Sequence, residues 1–153
     1  MKNIIKIIDI ILLIVCMIVI FFFSSENANK STIRSVNTSK EVINVVTNNS
    51  VEEEELNSIT HDYFNVFRKS AHFIEYFILG LLVINVIKDY YKVSFKYIVI
   101  AIILCFIYSV SDEIHQIYVL GRSCQIKDMF IDTIGSSVGV CLYYFIIKII
   151  GFI

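Results

Sequence analysis

Ionisable and amide side chains are concentrated at a few points of an otherwise apolar sequence. The stretch "SDEIHQ" at residues 111–116 follows an uncharged, apolar run at residues 97–110. Upstream, "RKSAHFIEYF" places Arg68, His72 and Glu75 at spacings of four and three, which puts them on one face of a helix. Ionisable groups inside a membrane are costly and usually face a bundle interior or a wet cavity. These stretches are therefore candidate functional sites.

A third polar stretch, "DMFIDTIGSSVG", begins at Asp128. Asp128, Asp132, Gly135 and Gly139 follow one another at spacings of four, three and four, again one helical stripe. We assign Gly135 and Gly139 to packing, because small residues let a second helix approach closely. That approach would hold Asp132 against the bundle rather than against lipid.

The histidines and carboxylates suit acid–base chemistry. His72 with Glu75, and Glu113 with His115, are the candidate catalytic residues. Histidine with two or three carboxylates also suits a divalent metal that activates water, although the sequence assigns no metal ligands. No HExxH, GxSxG or Walker motif is present, so whether the protein is an enzyme stays open.

The cations suit an anionic ligand. Arg68 and Arg122 can form bidentate contacts with phosphate, and Lys69 can supply a point charge. The predicted partner is a membrane lipid or a lipid-linked wall precursor, and this binding role requires no cofactor. A third alternative is that the polar groups only lock the helices together. The candidate ligand-binding residues are Arg68, Lys69, His72, Glu75, Asp112, Glu113, His115, Gln116, Arg122, Asp128 and Asp132.

The elements that carry these residues are predicted from hydropathy. The 153-residue chain is 57% hydrophobic and lacks proline, and its charges lie between long apolar runs, which indicates a multi-pass membrane protein. The predicted fold is all-α: one membrane domain at residues 1–153, a four-helix transmembrane bundle with a long outer loop between its first two helices. Its spans are predicted at residues 7–23, 71–87, 97–110 and 129–150.

Charge and cysteine usage narrow the function classes. The formal net charge is -1 and no basic patch carries interleaved aromatics, so a nucleic-acid partner is not expected. The four cysteines have the spacing of neither a disulfide framework nor a zinc finger. Lysines flank the amino end, the second connection and the carboxyl end. The positive-inside rule therefore predicts that both termini are cytoplasmic and that residues 111–116 face outward.

The three motifs "RKSAHFIEYFILGLL", "SDEIHQ" and "GRSCQIKDMFIDTIGSSVG" together resemble the VanZ family of bacterial integral membrane proteins. The resemblance is strongest over residues 67–139, and "FFSSE" at residues 22–26 is weakly similar as well. The chain departs from the family pattern in lacking a proline before Gly121 and Arg122.

The resemblance implies a small four-helix protein of the bacterial plasma membrane. It also implies a role in cell-envelope behaviour or antibiotic resistance, specifically low-level resistance to the glycopeptide teicoplanin. We interpret the polar cluster as a site that binds a lipid-linked headgroup. The alternatives are a membrane-embedded, metal-dependent or metal-free hydrolase or transferase acting on such a headgroup, and a purely structural cluster.

Overall fold

A computed structural model describes residues 2–48 and 50–151 of the chain. These residues form five helices and no strand, so the predicted all-α fold is confirmed. The helices are α1 (Lys2–Ser24), α2 (Ala28–Val46), α3 (Glu53–Tyr90), α4 (Phe95–Gln116) and α5 (Ile126–Ile149). The longest helix, α3, is central: it packs most extensively on α5 and also contacts α1, α2 and α4.

Four of these helices are long and apolar enough to cross a membrane. Their membrane-length segments are Asn3–Ser24, Tyr63–Tyr90, Phe95–Gln116 and Ile126–Ile149. Each contains at least 22 residues, and a span needs about 20. Each predicted span falls on one of these helices but is shorter than it, because the helices continue into polar residues at their ends.

The connection between the first two spans is largely helical. It contains α2 and the first turns of α3, which run without interruption into the second span. Asn27 caps α2, since its side-chain oxygen accepts a hydrogen bond from the Lys30 amide at 2.9 Å. A hydropathy pattern does not reveal α2, because its buried residues include Ser31 and Ser39 while Ile33, Val42 and Val45 are exposed.

The "SDEIHQ" stretch forms the last turns of α4 rather than a loop after it. Ser109, Asp112, Glu113 and Gln116 are all buried on one face of this helix, and His115 lies to one side, half-buried. The polar end of α4 therefore faces the other helices and not the surroundings of the bundle.

Glycines bring α3 and α5 into backbone contact just inside this polar end. A Cβ atom at Gly135 would overlap the carbonyl group of Phe73, and one at Gly139 would overlap that of Phe77. On the other side, a Cβ atom at Gly80 would overlap the Ser136 carbonyl. Because the backbones touch here, side chains one turn further toward the polar end must meet across the interface.

Candidate functional site

The innermost part of the polar cluster joins three helices. Nδ1 of His72 on α3 lies 3.5 Å from Oδ1 of Asp132 on α5, a charge contact without hydrogen-bond alignment. Oδ2 of Asp132 accepts a 2.7 Å hydrogen bond from the Ser109 hydroxyl on α4. Asp132 is fully buried and His72 nearly so. This contact replaces the predicted pairing of His72 with Glu75, since no ion pair within 4.0 Å joins those two in the described part of the chain.

A second pair lies one turn further out on the same two helices. The Arg68 guanidinium is 4.0 Å from Oδ2 of Asp128, a buried carboxylate. The Nε atom of Arg68 is buried and meets no hydrogen-bond acceptor among the described residues. Arg68 therefore has donor capacity that this pair does not use.

Glu113 fixes the start of α5. Its Oε2 accepts a 2.7 Å hydrogen bond from the Gln125 amide, and its Oε1 accepts a 3.0 Å bond from the Gln116 side chain. Gln125 precedes the first residue of α5, so this buried carboxylate satisfies a backbone donor at the helix entrance. The contacts of Glu113 are those of a positioning residue.

Arg122 ties the α4–α5 loop to the end of α1. Its Nε donates to the Glu26 carbonyl at 2.8 Å, and its two terminal nitrogens donate to the Phe23 carbonyl and to the Gln116 side chain, each at 3.2 Å. Burial lowers the pKa of Arg122, and the neighbouring positive charge of Arg68 lowers it further. The guanidinium nevertheless stays charged, because its ordinary pKa lies far above neutrality.

Gly121 sets the path of this loop. Its φ of 76° lies in the left-handed region that glycine adopts without strain. A Cβ atom there would also crowd the side chain of Ala28, whose amide donates to the Leu120 carbonyl at 3.2 Å. The loop thus rests on the first turn of α2, with Arg122 directed toward the bundle.

These elements enclose a cavity of about 200 Å³ at the polar end of the bundle. Its wall is built from α1, α2, α3, α4 and the α4–α5 loop. The charged and histidine side chains that line it are Arg34, Arg68, Arg122, His72, Glu75 and Asp112. Apart from His72, three positive charges face two negative ones, so the lining carries a small positive excess.

Five predicted ligand-binding residues therefore line the cavity, and the remainder do not. Asp128, Asp132 and Gln116 lie behind the wall and contact lining residues, as does Glu113 through Gln116. Lys69 is exposed on the outside of α3. His115 stacks on Phe21 with ring centroids 4.3 Å apart and meets the Ser25 hydroxyl at 3.1 Å, so it contacts α1 and not the cavity.

Sequence reasoning missed the contribution of α2. Arg34 lines the cavity with Ser31, Ser35 and Thr38, and its guanidinium pairs with Glu26 at 2.9 Å. The available signal is the serine spacing, since Ser31, Ser35 and Ser39 recur every four residues and share one helix face. That polar stripe was not recognised as an inward face.

The carboxylates of the cluster do not gather around one point. Across residues 2–48 and 50–151, no group of three or more histidine, cysteine, aspartate or glutamate side chains has the proximity needed to hold a metal ion. The geometry of the cavity suits two tasks. It can bind an anion through guanidinium groups, and it can transfer a proton through His72.

Comparison with known proteins gives a family. The sequence model of the VanZ/LLP1 family matches residues 9–148, which is most of the chain. No curated protein matches the chain. The search of solved structures likewise gives no match.

Arg122→Lys tests the role of the α4–α5 loop. Lysine has a single nitrogen and cannot reach three acceptors in different directions. Each lost charged hydrogen bond is worth about 1.5–3 kcal/mol. We therefore expect amide hydrogen exchange in the loop and at Ala28 to accelerate more than tenfold.

The matched control is Lys69→Arg, which swaps the same two residue types at an exposed position. It should leave the hydrogen-exchange rates of these amides unchanged. Equal exchange rates in the two variants would contradict the bridging role of Arg122.

Proposed function

This chain belongs to the VanZ/LLP1 family, and from that premise we propose that it is an envelope protein whose arginine-lined cavity binds the phosphate of a lipid-linked headgroup. The observation that carries the proposal is the convergence of Arg34, Arg68 and Arg122 on one small cavity. Guanidinium groups match phosphate oxygens bidentately, and such contacts are strong because they are charge-assisted.

The contacts of Arg68 and Arg34 leave both guanidinium groups available to an anionic ligand. Arg68 keeps a buried donor without a partner, while its carboxylate lies at the limit of ion-pair distance. The Arg34–Glu26 pair is partly exposed, and exposed pairs contribute at most about 1 kcal/mol. Because the first contact is long and the second is partly exposed, a phosphate can compete for both guanidinium groups.

Size limits what enters the cavity. Pockets for drug-sized ligands measure roughly 300–1,000 Å³, and this cavity has about 200 Å³. It therefore takes the phosphate-bearing part of a headgroup rather than a whole wall precursor. The acyl or isoprenyl chain would remain in the lipid beside the helices.

Holding such a phosphate offers a route to an envelope phenotype. A precursor or lipid retained at the membrane surface by its phosphate is less available to a glycopeptide that binds from outside. This proposal links the cavity to glycopeptide susceptibility, including susceptibility to teicoplanin, which the family resemblance implies.

A membrane-embedded hydrolase or transferase is the second candidate. One observation favours it: His72 lines the cavity and its ring faces the buried Asp132 carboxylate, an arrangement that orients an imidazole for proton transfer. Release of free phosphate from a bound lipid would identify this activity.

We place the protein in a bacterial plasma membrane with the cavity outward and both termini in the cytoplasm. Supporting this orientation, helix order puts five lysines at the end of the bundle opposite the cavity. These are Lys6, Lys88, Lys92, Lys96 and Lys148. Span ends rich in lysine and arginine tend to remain in the cytoplasm, and at the opposite end Arg34, Arg68 and Arg122 face the cavity.

The native cysteines provide a test of this orientation. Cys124 lies in the α4–α5 loop beside the cavity and is partly exposed, whereas Cys16, Cys105 and Cys141 lie within membrane-length helices. A membrane-impermeant maleimide should therefore label intact cells that express the protein. A Cys124→Ser variant should abolish the signal, and labelling only after the membrane is opened would reverse the orientation.

Arg68→Gln tests the binding role. Loss of one charge-assisted contact to phosphate costs about 1.5–3 kcal/mol, or at least tenfold in affinity. We expect the purified variant to bind vesicles that contain an anionic phospholipid at least tenfold more weakly. Host cells that express it should lose any glycopeptide protection that the wild type gives.

Lys69→Gln is the matched control, since it removes the adjacent positive charge at a position outside the cavity. Vesicle binding and susceptibility should stay at wild-type values, with equal amounts of each protein in the membrane. Equal loss in both variants would indicate general attraction to an anionic surface and would remove the case for an arginine site.

A further inference from the structure

The cavity carries two carboxylates, Asp112 and Glu75, as well as three arginines. Arg34 and Arg122 come from α2 and from the loop, and Arg68 enters from the same end of α3. Glu75 lies seven residues further along α3, which corresponds to about 10 Å of helix axis. Glu75 therefore lies deeper in the cavity than Arg68, whereas Asp112, three residues outward from Ser109 on α4, faces the cavity nearer the level of Arg68.

Asp112 is the more clearly unsatisfied of the two carboxylates. It is 3% exposed and lines the cavity, and its Oδ1 accepts no hydrogen bond from the described residues. Its other oxygen accepts a hydrogen bond from the Gln116 side chain that is long, at 3.5 Å. The Ser24 hydroxyl lines the same cavity close to Asp112 and is the protein's own donor there. A carboxylate has about four lone-pair sites, so Ser24 and the long bond from Gln116 leave room on Asp112 for a donor supplied by a ligand.

A ligand with phosphate alone does not fit both sets of charges in the cavity. Phosphate on the arginines would leave Asp112 and Glu75 without a partner, and like charges placed close together in an enclosed site repel. A ligand that also carries a positive group with N–H donors satisfies both sets. A primary ammonium suits the space, because it is compact and offers three donors.

We infer that the cavity recognises an aminoalkyl phosphate, with the phosphate on the arginines and the ammonium on Asp112 and Glu75. This inference rests on the proposed phosphate-binding function and names the ligand class of the same site. The chemistry occurs both in membrane lipids with an ethanolamine headgroup and in free phosphoethanolamine. The cavity volume of about 200 Å³ leaves room for a group of this size.

The test compares lipids that share a phosphate and differ at the far end. The full-length purified protein is presented with vesicles of phosphatidylethanolamine or phosphatidylglycerol in a neutral carrier lipid. We expect at least tenfold tighter binding to phosphatidylethanolamine. Asp112→Asn keeps the side-chain shape and removes the charge. It should bring the ratio of the two affinities close to one and leave phosphatidylglycerol binding within twofold of wild type.

Further variants separate this inference from the proposed function. Arg68→Gln should weaken the binding of both lipids by the same factor. Glu53 is an exposed carboxylate at the start of α3, and Glu53→Gln should change the binding of neither lipid. If Asp112→Asn does not fold, Glu75→Gln replaces it, because that side chain is only half-buried and lines the same cavity.

The inferred aminoalkyl phosphate ligand would be contradicted if the wild type bound the two lipids equally, or if Asp112→Asn lost the same affinity for both. Either result would leave phosphate binding intact. If Arg68→Gln changed the binding of neither lipid, the proposed phosphate-binding function would be contradicted instead. Competition by free phosphoethanolamine distinguishes a lipid ligand from a soluble one. If it displaces the lipid at concentrations similar to those at which the lipid binds, the ligand is a soluble member of the inferred class. If it does not displace the lipid, the ligand is the lipid.

Discussion

The contact between His72 and Asp132 is the constraint on which the polar end of this bundle depends. Both groups lie within helices of membrane length and are almost fully buried, where an unpaired charge is costly. Only a partner on a facing helix can satisfy them, and the glycine contact between α3 and α5 supplies the required proximity. The register of these two helices is therefore fixed by packing and charge together.

That register determines which groups remain available for a ligand. Asp132 faces His72, and Glu113 serves the backbone at the start of α5, so these acids are engaged in holding helices. Arg34 and Arg68 are held by one ion pair each, and Arg122 is bonded to three acceptors, but all three arginines also line the cavity. A structural network and a binding site thus coexist in one cluster, and each residue belongs mainly to one of them.

Hydropathy was sufficient to predict the fold, and residue spacing placed His72, Glu75 and Asp112 on inward faces. Spacing within a helix does not reveal which facing helix a side chain meets, so the sequence paired His72 with Glu75 instead of Asp132. It also included Lys69 as a point charge for phosphate, although Lys69 and Arg68 are consecutive and point in different directions on the helix. Arg34 was missed because the inward face of α2 is a stripe of serines, and no apolar residues recur there at the spacing that predicts a buried helix face.

The most direct test of the account is native mass spectrometry of the protein extracted from its membrane in a mild detergent. A cavity built for a phosphate-bearing headgroup should retain a bound lipid, seen as an added mass that fragments to a phosphate-containing headgroup. An Arg34→Gln, Arg68→Gln double variant should lose that mass while remaining folded. A wild type that carries no such lipid, or a double variant that keeps it, would contradict the claim that the arginine cavity is a binding site.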